Sequence, residues 1–303
     1  SVTQYGNARK LYDLLGYNMN HYISAVGNVT FQLKPNSDIT TSTVIIPQFT
    51  QLTDENNELS FVTLQTVTLE KSGVNNLIGG KSGSSVSVDV MEGRIKKYLV
   101  NDQQNILLNN LDNNLRLYFD EPQIAQNGIF IQNVEQGNND YETSYNTTIS
   151  DDVSTYWERV DNLAPYESGK KIYQFGVLPN SNICYIQFPK DISSLIGAGL
   201  NIMYIVSSGL DGNIKSNTLT KFVNNIQVGD DNIVINDQIV IKQTKGTTNG
   251  ADPESLSDAY NNFKKTIGTF DTLVTKRDFE NFIYNLTQPI SNNPYLSNIK
   301  VSD

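Results

Sequence analysis

The sequence predicts an α+β protein, predominantly β, with more than one domain. Three observations carry that prediction. Val86, Val88 and Val90 alternate with Ser87 and Asp89, the two-residue period of a half-buried strand. Short runs rich in Val, Ile, Thr, Tyr and Phe recur from about residue 29 to residue 241, separated by Gly, Asn and Asp. Helical spacing joined to start and stop signals is clearest at the two chain ends. A length of 303 residues exceeds the ~100–150 of a common single domain, so several cores are expected. The expected order is an N-terminal helical segment (1–23), a first β-rich domain (24–114), a second β-rich domain (115–248) and a C-terminal helical, α+β segment (249–303).

In chain order, Ala8, Leu11, Tyr12 and Leu15 share one face of a helix over 3–16, and Gly16 provides its stop. Phe31 and Leu33 alternate in the first strand, and Val44-Ile45-Ile46 reads as a short buried run ended by Pro47. Phe61 to Leu69 is rich in Thr, Val and Phe, as one half-buried strand should be. Gly79, Gly80, Gly83 and Gly93 mark turns, and the Asn/Asp-rich stretch 101–114 marks the boundary between the β regions. Beyond it, strands are expected at 115–119, 129–134, 171–177, 183–188, 200–206, 222–228 and 233–241, with a long exposed loop over 135–155. Gly209 and Gly212 suit turn positions with positive φ, and Asn213 can hydrogen-bond the turn backbone.

The stretch from Ala251 to Leu286 reads as two helices joined by an extended link. Asp252 is a candidate N-cap, Pro253 fits the first helical position, and Leu256, Ala259, Tyr260 and Phe263 repeat at helical spacing. Lys264 and Lys265 suit the negative end of that helix, and Gly268 can end it. Thr275 and Asp278 form a capping box for the second helix, with Val274 and Phe279 placed as a hydrophobic staple. Phe279, Phe282, Ile283 and Leu286 give that helix one apolar face, and Pro289 ends it. Capping and stapling explain these residue types without any substrate.

The same stretch resembles the C-terminal signature of the baseplate J-like proteins, the wedge subunits of contractile phage tails. The match lies on Gly250, Asp252, Pro253, Glu254, Ser255, Val274, Thr275, Asp278 and Phe279, while Asp271-Thr272-Leu273 stand where family members more often carry an Asn-Arg pair. The segments 156–163, 172–191 and 199–214 stand in the order seen in wedge-type relatives. The resemblance implies a structural part in a ring around the end of a tail tube, in assembly and in contraction triggering. It implies other copies of the chain and other baseplate or tail proteins as partners, in a virion assembled in the host cytoplasm. Helical spacing, capping and the resemblance together mark Asp252, Pro253, Leu256, Tyr260, Phe263, Val274, Thr275, Asp278, Phe279, Phe282, Ile283 and Leu286 as an interface or structural motif. Relatives continue with a further αβ segment after the last strand, so this chain is expected to be truncated in mid-domain.

Composition narrows the alternatives. A net charge of −10 and a pI near 4.6 argue against nucleic acid as the main partner. Hydrophobic content is 38%, and no apolar run approaches the ~18–20 residues of a membrane span. No charged and then apolar leader opens the sequence, and Ser1 in place of Met suggests a start inside a longer protein. The single cysteine, Cys184, excludes an internal disulfide and reads as a small buried hydrophobe. The single histidine, His21, cannot build a His-rich zinc site, and a surface or packing role is expected. Residues 78–82 (IGGKS) imitate a phosphate-binding loop, but Asn75 stands where its first glycine belongs. The acidic pairs Asp120-Glu121, Asp151-Asp152 and Asp230-Asp231 read as solvated loops rather than as glycosidase pairs.

No enzyme activity, cofactor, metal or small-molecule substrate is therefore expected. The 16 tyrosines suit interfaces, where an apolar ring carries a polar tip. A receptor- or glycan-binding tail protein is the alternative, with Trp157 the one tryptophan available to hold a sugar; a cell-wall glycan hydrolase ranks third.

Overall fold

The computed structural model describes residues 17–34, 43–70, 85–98, 110–133, 155–178, 181–197, 199–228 and 233–271. The strands in chain order are β1 (Val26–Leu33), β2 (Thr43–Ile46), β3 (Gln51–Thr53), β4 (Phe61–Thr63), β5 (Val67–Glu70) and β6 (Ser85–Glu92). Next come β7 (Arg94–Tyr98), β8 (Arg116–Tyr118), β9 (Ile124–Asn133), β10 (Glu158–Arg159), β11 (Ile172–Val177) and β12 (Cys184–Gln187). β13 (Leu200–Val206), β14 (Lys221–Phe222), β15 (Gln227–Val228), β16 (Ile233–Val234) and β17 (Ile239–Lys242) complete the set. Helices α1 (Ile192–Leu195) and α2 (Leu256–Asp271) are described besides. The protein is predominantly β, as its sequence predicts. It divides into two compact units, Asn20–Pro253, and Ser1–Met19 with Glu254–Asp303.

Within Asn20–Pro253 the largest sheet runs β14-β3-β4-β6-β1-β17, antiparallel throughout. Its two longest strands show why the alternation was readable. Val29, Phe31 and Leu33 of β1 and Val88 and Val90 of β6 turn into one core, while Asn28, Ser87 and Asp89 turn outward. That core also takes Leu52, Phe61, Leu69, Leu219, Ile226, Ile235 and Ile239. The sheet therefore uses strands from both sides of the 114/115 boundary, and residues 94–206 are inserted into it.

The inserted part contains the sheets β10-β11-β12-β8 and β7-β13-β9. Its core runs from Leu117 and Phe119 through Trp157, Tyr173, Cys184 and Phe188 to Ile202 and Val206. β7 precedes residue 114 yet pairs with β13, from Arg94↔Val206 to Tyr98↔Ile202. A third cluster, Val62, Met91, Ile95, Ala125, Met203 and Ile205, joins the outer sheet to β7 and β13. The two β regions are thus nested.

Four strand expectations are corrected, the first being the run 222–228, where β14 pairs with β3 and β15 pairs with β16. The run 61–69 is two strands, because β4 pairs with β3 and β6 while β5 leaves to pair with β2. Val44 and Ile46 are buried but Ile45 between them is 56% exposed, so this run alternates. The run 233–241 is broken by a 3-10 turn at Asn236–Gln238, where Asn236 Oδ1 accepts the Ile226 N–H at 2.6 Å and its Nδ2 donates to Asn224 O at 3.0 Å. The expected helix at 3–16, the IGGKS segment and the loop at 135–154 lie outside the described residues.

Candidate functional site: the ADPES segment

Two stretches that stand out in the sequence, 209–213 and 250–255, are built into one suture and one helix start. Gly250 N–H donates to Asn213 Oδ1 at 2.9 Å and Asn213 Nδ2 donates to Gly250 O at 2.8 Å. A planar side-chain amide thus completes a backbone-like pair, which a carboxylate, having no donor, could not do. Asp252 Oδ1 accepts the Leu210 N–H at 3.1 Å. Gly209 has φ 63°, and a Cβ there would overlap Asp252 Oδ1 and meet Tyr22. Ala251 exchanges two backbone bonds of 2.9 Å with Ile23.

The strap 20–25 extends this suture to the inserted strands. Ser24 N–H donates to Asn127 Oδ1 at 2.9 Å, and Asn127 Nδ2 returns a bond to Ser24 O at 3.0 Å. Gln126 N–H donates to Tyr22 O at 2.8 Å. His21 is buried, with Nε2 2.9 Å from Pro122 O and 3.4 Å from the buried Cys184 sulfur. Its ring sits edge-on to Tyr22 and against Phe175, a packing role for both single residues.

In the other unit, Ser255 rather than Asp252 caps α2. Its Oγ accepts the Asp258 N–H at 3.1 Å and donates to Asp258 Oδ2 at 2.6 Å. The expectation for Asp252 and Pro253 fails because the helix begins at Leu256 and the Asp252 carboxylate already serves Leu210. Glu254 Oε1 accepts Tyr17 OH and Asn262 Nδ2, each at 2.6 Å. Ala259 and Met19 are buried together, with Tyr17, Leu256 and Phe263 packed against them, and the Tyr17 and Phe263 rings 5.9 Å apart. Tyr260 does not join this face and is 50% exposed. Leu256, Ala259 and Phe263 centre on one direction at 100° per residue, and Tyr260 falls on its flank. α2 also continues through Gly268 to Asp271.

Val274, Thr275, Asp278, Phe279, Phe282, Ile283 and Leu286 lie outside the described residues. Glu121 of the acidic pair at 120–121 is bound to Lys96. Among the described residues no group of three or more His, Cys, Asp or Glu could hold a metal ion, and no helix is long and apolar enough to cross a membrane. The sequence reading missed Tyr17, Asn127 and Asn262, polar partners that only tertiary contact reveals. It also missed Glu92, whose signal was an acid closing an alternating strand just before Gly93.

No family model matches the chain, and no curated protein matches it. Among solved structures it is similar to a chain of the anti-feeding prophage baseplate, known from a six-fold-symmetrised cryo-EM structure, at 11% identity and a TM-score of 0.33. The similarity covers 92% of this chain and 46% of that one, so this chain spans less than half its length.

Proposed function

We propose that the chain is a non-enzymatic structural subunit of a contractile-tail baseplate, a wedge protein that closes a ring at the end of the tail tube. One observation carries the reading: the polar ADPES residues Asp252, Glu254 and Ser255 bond the chain's own backbone and side chains. Asp252 holds Leu210, Glu254 gathers Tyr17 and Asn262, and Ser255 caps α2. That use fits the resemblance of 250–255 and 274–279 to the wedge signature, which needs no substrate.

The mechanism is mechanical. A closed ring of one subunit type needs two different neighbour-facing surfaces on each copy. A ring that rearranges on contraction needs interfaces stable in two packings rather than a deep catalytic pocket. Phe279→Ala or Leu286→Ala should lower the yield of complete baseplates while Asn20–Pro253, which has its own cores, still folds; normal yield from either variant would remove segment 279–286 as an assembly element. The reading itself is tested by electron microscopy of the parent particle labelled with an antibody against residues 116–250. Label in a compact ring at the tube end supports it. Label on distal fibre tips, or on no particle, overturns it, and the receptor- or glycan-binding reading then leads.

A further inference from the structure

The chain crosses between the outer sheet and the inserted strands twice, at Glu92–Arg94 and at Val206–Gly209, and one carboxylate joins the crossings. Glu92 Oε2 accepts the Ser207 hydroxyl at 2.6 Å and Oε1 accepts the Ser208 N–H at 2.9 Å. Ser207 Oγ in turn accepts the Gly209 N–H at 2.9 Å. Backbone bonds fix both ends: Glu92 N–H donates to Ala25 O at 2.8 Å and Ser207 N–H donates to Gln123 O at 2.9 Å. The Glu92 side chain lies at the wall of a cleft of about 670 Å³, yet the residue is only 4% exposed. The other charged residues lining that cleft are Asp211 on the 3-10 turn Gly209–Gly212, Glu58 on the loop before β4 and Arg94 at the start of β7. Among the described residues no ion pair reaches Glu92.

We propose that Glu92 is a protonation-sensitive clasp: in its neutral form one oxygen keeps the Ser208 N–H while the acid O–H turns to Ser207 Oγ, holding segment 207–212 against β6, and its ionised form, buried without a cation, loosens that segment without unfolding either β region. Burial is the main force pushing the carboxyl above its ordinary value of 4.5, against the bonds from Ser207 and Ser208, and the Asp211 charge adds to the rise. The direction of the effect follows. Opening the clasp returns Glu92 to water and to an ordinary acidity, so the closed form binds the proton more tightly than the open one. Closure is at full strength below the open-state value and weakens as pH rises towards the closed-state value.

The test is hydrogen exchange on the full chain across about pH 5 to 8, with rates corrected for the intrinsic pH dependence of exchange. Opening at Ser208 and Gly209 should increase by up to about tenfold per pH unit within that window. Glu92→Gln, which cannot ionise, keeps the Ser208 N–H at its amide oxygen and turns its NH2 to donate to Ser207 Oγ, should make opening flat with pH. Asp211→Asn, at an exposed position, should shorten the rise by removing the repulsion. A flat wild-type segment, an unchanged pH dependence in Glu92→Gln, or an equal rise in the β1–β6 ladder would each overturn the clasp. Should Glu92→Gln not fold, wild type against Asp211→Asn decides: an unshortened rise rejects the proposal.

Discussion

The outer sheet draws its core from two distant stretches, 29–90 and 219–239, whereas the inserted part draws its own from 117–206. The outer sheet is completed by β17, whose Lys242 pairs with Thr30 across the whole insertion. Closing so long a loop would be slow if the intervening chain were disordered. The insertion carries that closure through its own ends, because β7 and β13 pair with Arg94 opposite Val206. The outer sheet then meets more than a hundred residues as if they were a tight connection. The teaching is a dependence: the inserted strands pair only with one another, and β14 and β17 of the outer sheet need the ends of the insertion brought together.

Core truncations should break this comparison most strongly. Phe31 in the outer core stacks on Phe222 at 5.4 Å, and Phe119 in the inserted core sits edge-on to Tyr98 and Tyr204. Each change to Ala should cost about 3–5 kcal/mol in denaturant unfolding. Phe119→Ala should lower exchange protection in both regions, and Phe31→Ala in the outer sheet alone. Equal loss in both regions from Phe31→Ala would end the asymmetry. Next in size is Gly93→Ala at the first crossing, where φ is 119° and a Cβ would overlap Ile205 and the Val206 carbonyl. A loss of about 2 kcal/mol or more is expected from strain and clash, read as a lower unfolding midpoint.

Smaller effects sharpen the picture. Tyr173 is buried in the inserted core and its hydroxyl donates to Ile129 O at 3.1 Å. Burial pushes that hydroxyl well above the ordinary tyrosine range. An acid raised in the folded state contributes fully below its unfolded value, ~10, and loses that contribution as pH rises beyond it. Tyr173→Phe should therefore cost about 1 kcal/mol at neutral pH and narrow the gap to wild type above about pH 10, followed by thermal melts. Ser255→Ala removes the α2 cap and should cost about 1 kcal/mol there, seen as lost helix protection with the β ladders unchanged.

Residue by residue, the sequence was legible where a property was local. β1 and β6 were visible because the pleat sends successive side chains to opposite faces, whatever the partner strand. The helix at 256–263 was visible, but its cap was misplaced by three residues because Asp252 and Ser255 are both good caps. Only the distant Leu210 N–H explains which one was free for the task. The 61–69 run looked continuous because β propensity does not say when a strand changes partner.

By itself the sequence determined the predominantly β class, the faces of its clearest strands, and the turn residues Gly93, Gly209 and Asn213. All of these follow from the steric and hydrogen-bonding habits of single residues and their near neighbours. The tertiary structure alone decided that residues 94–206 are nested in the outer sheet, that Glu92 bridges the two crossings, and that Asn213 meets Gly250. Those outcomes depend on which of many chemically equivalent strands and polar groups come within hydrogen-bonding reach, and that choice belongs to the packed whole.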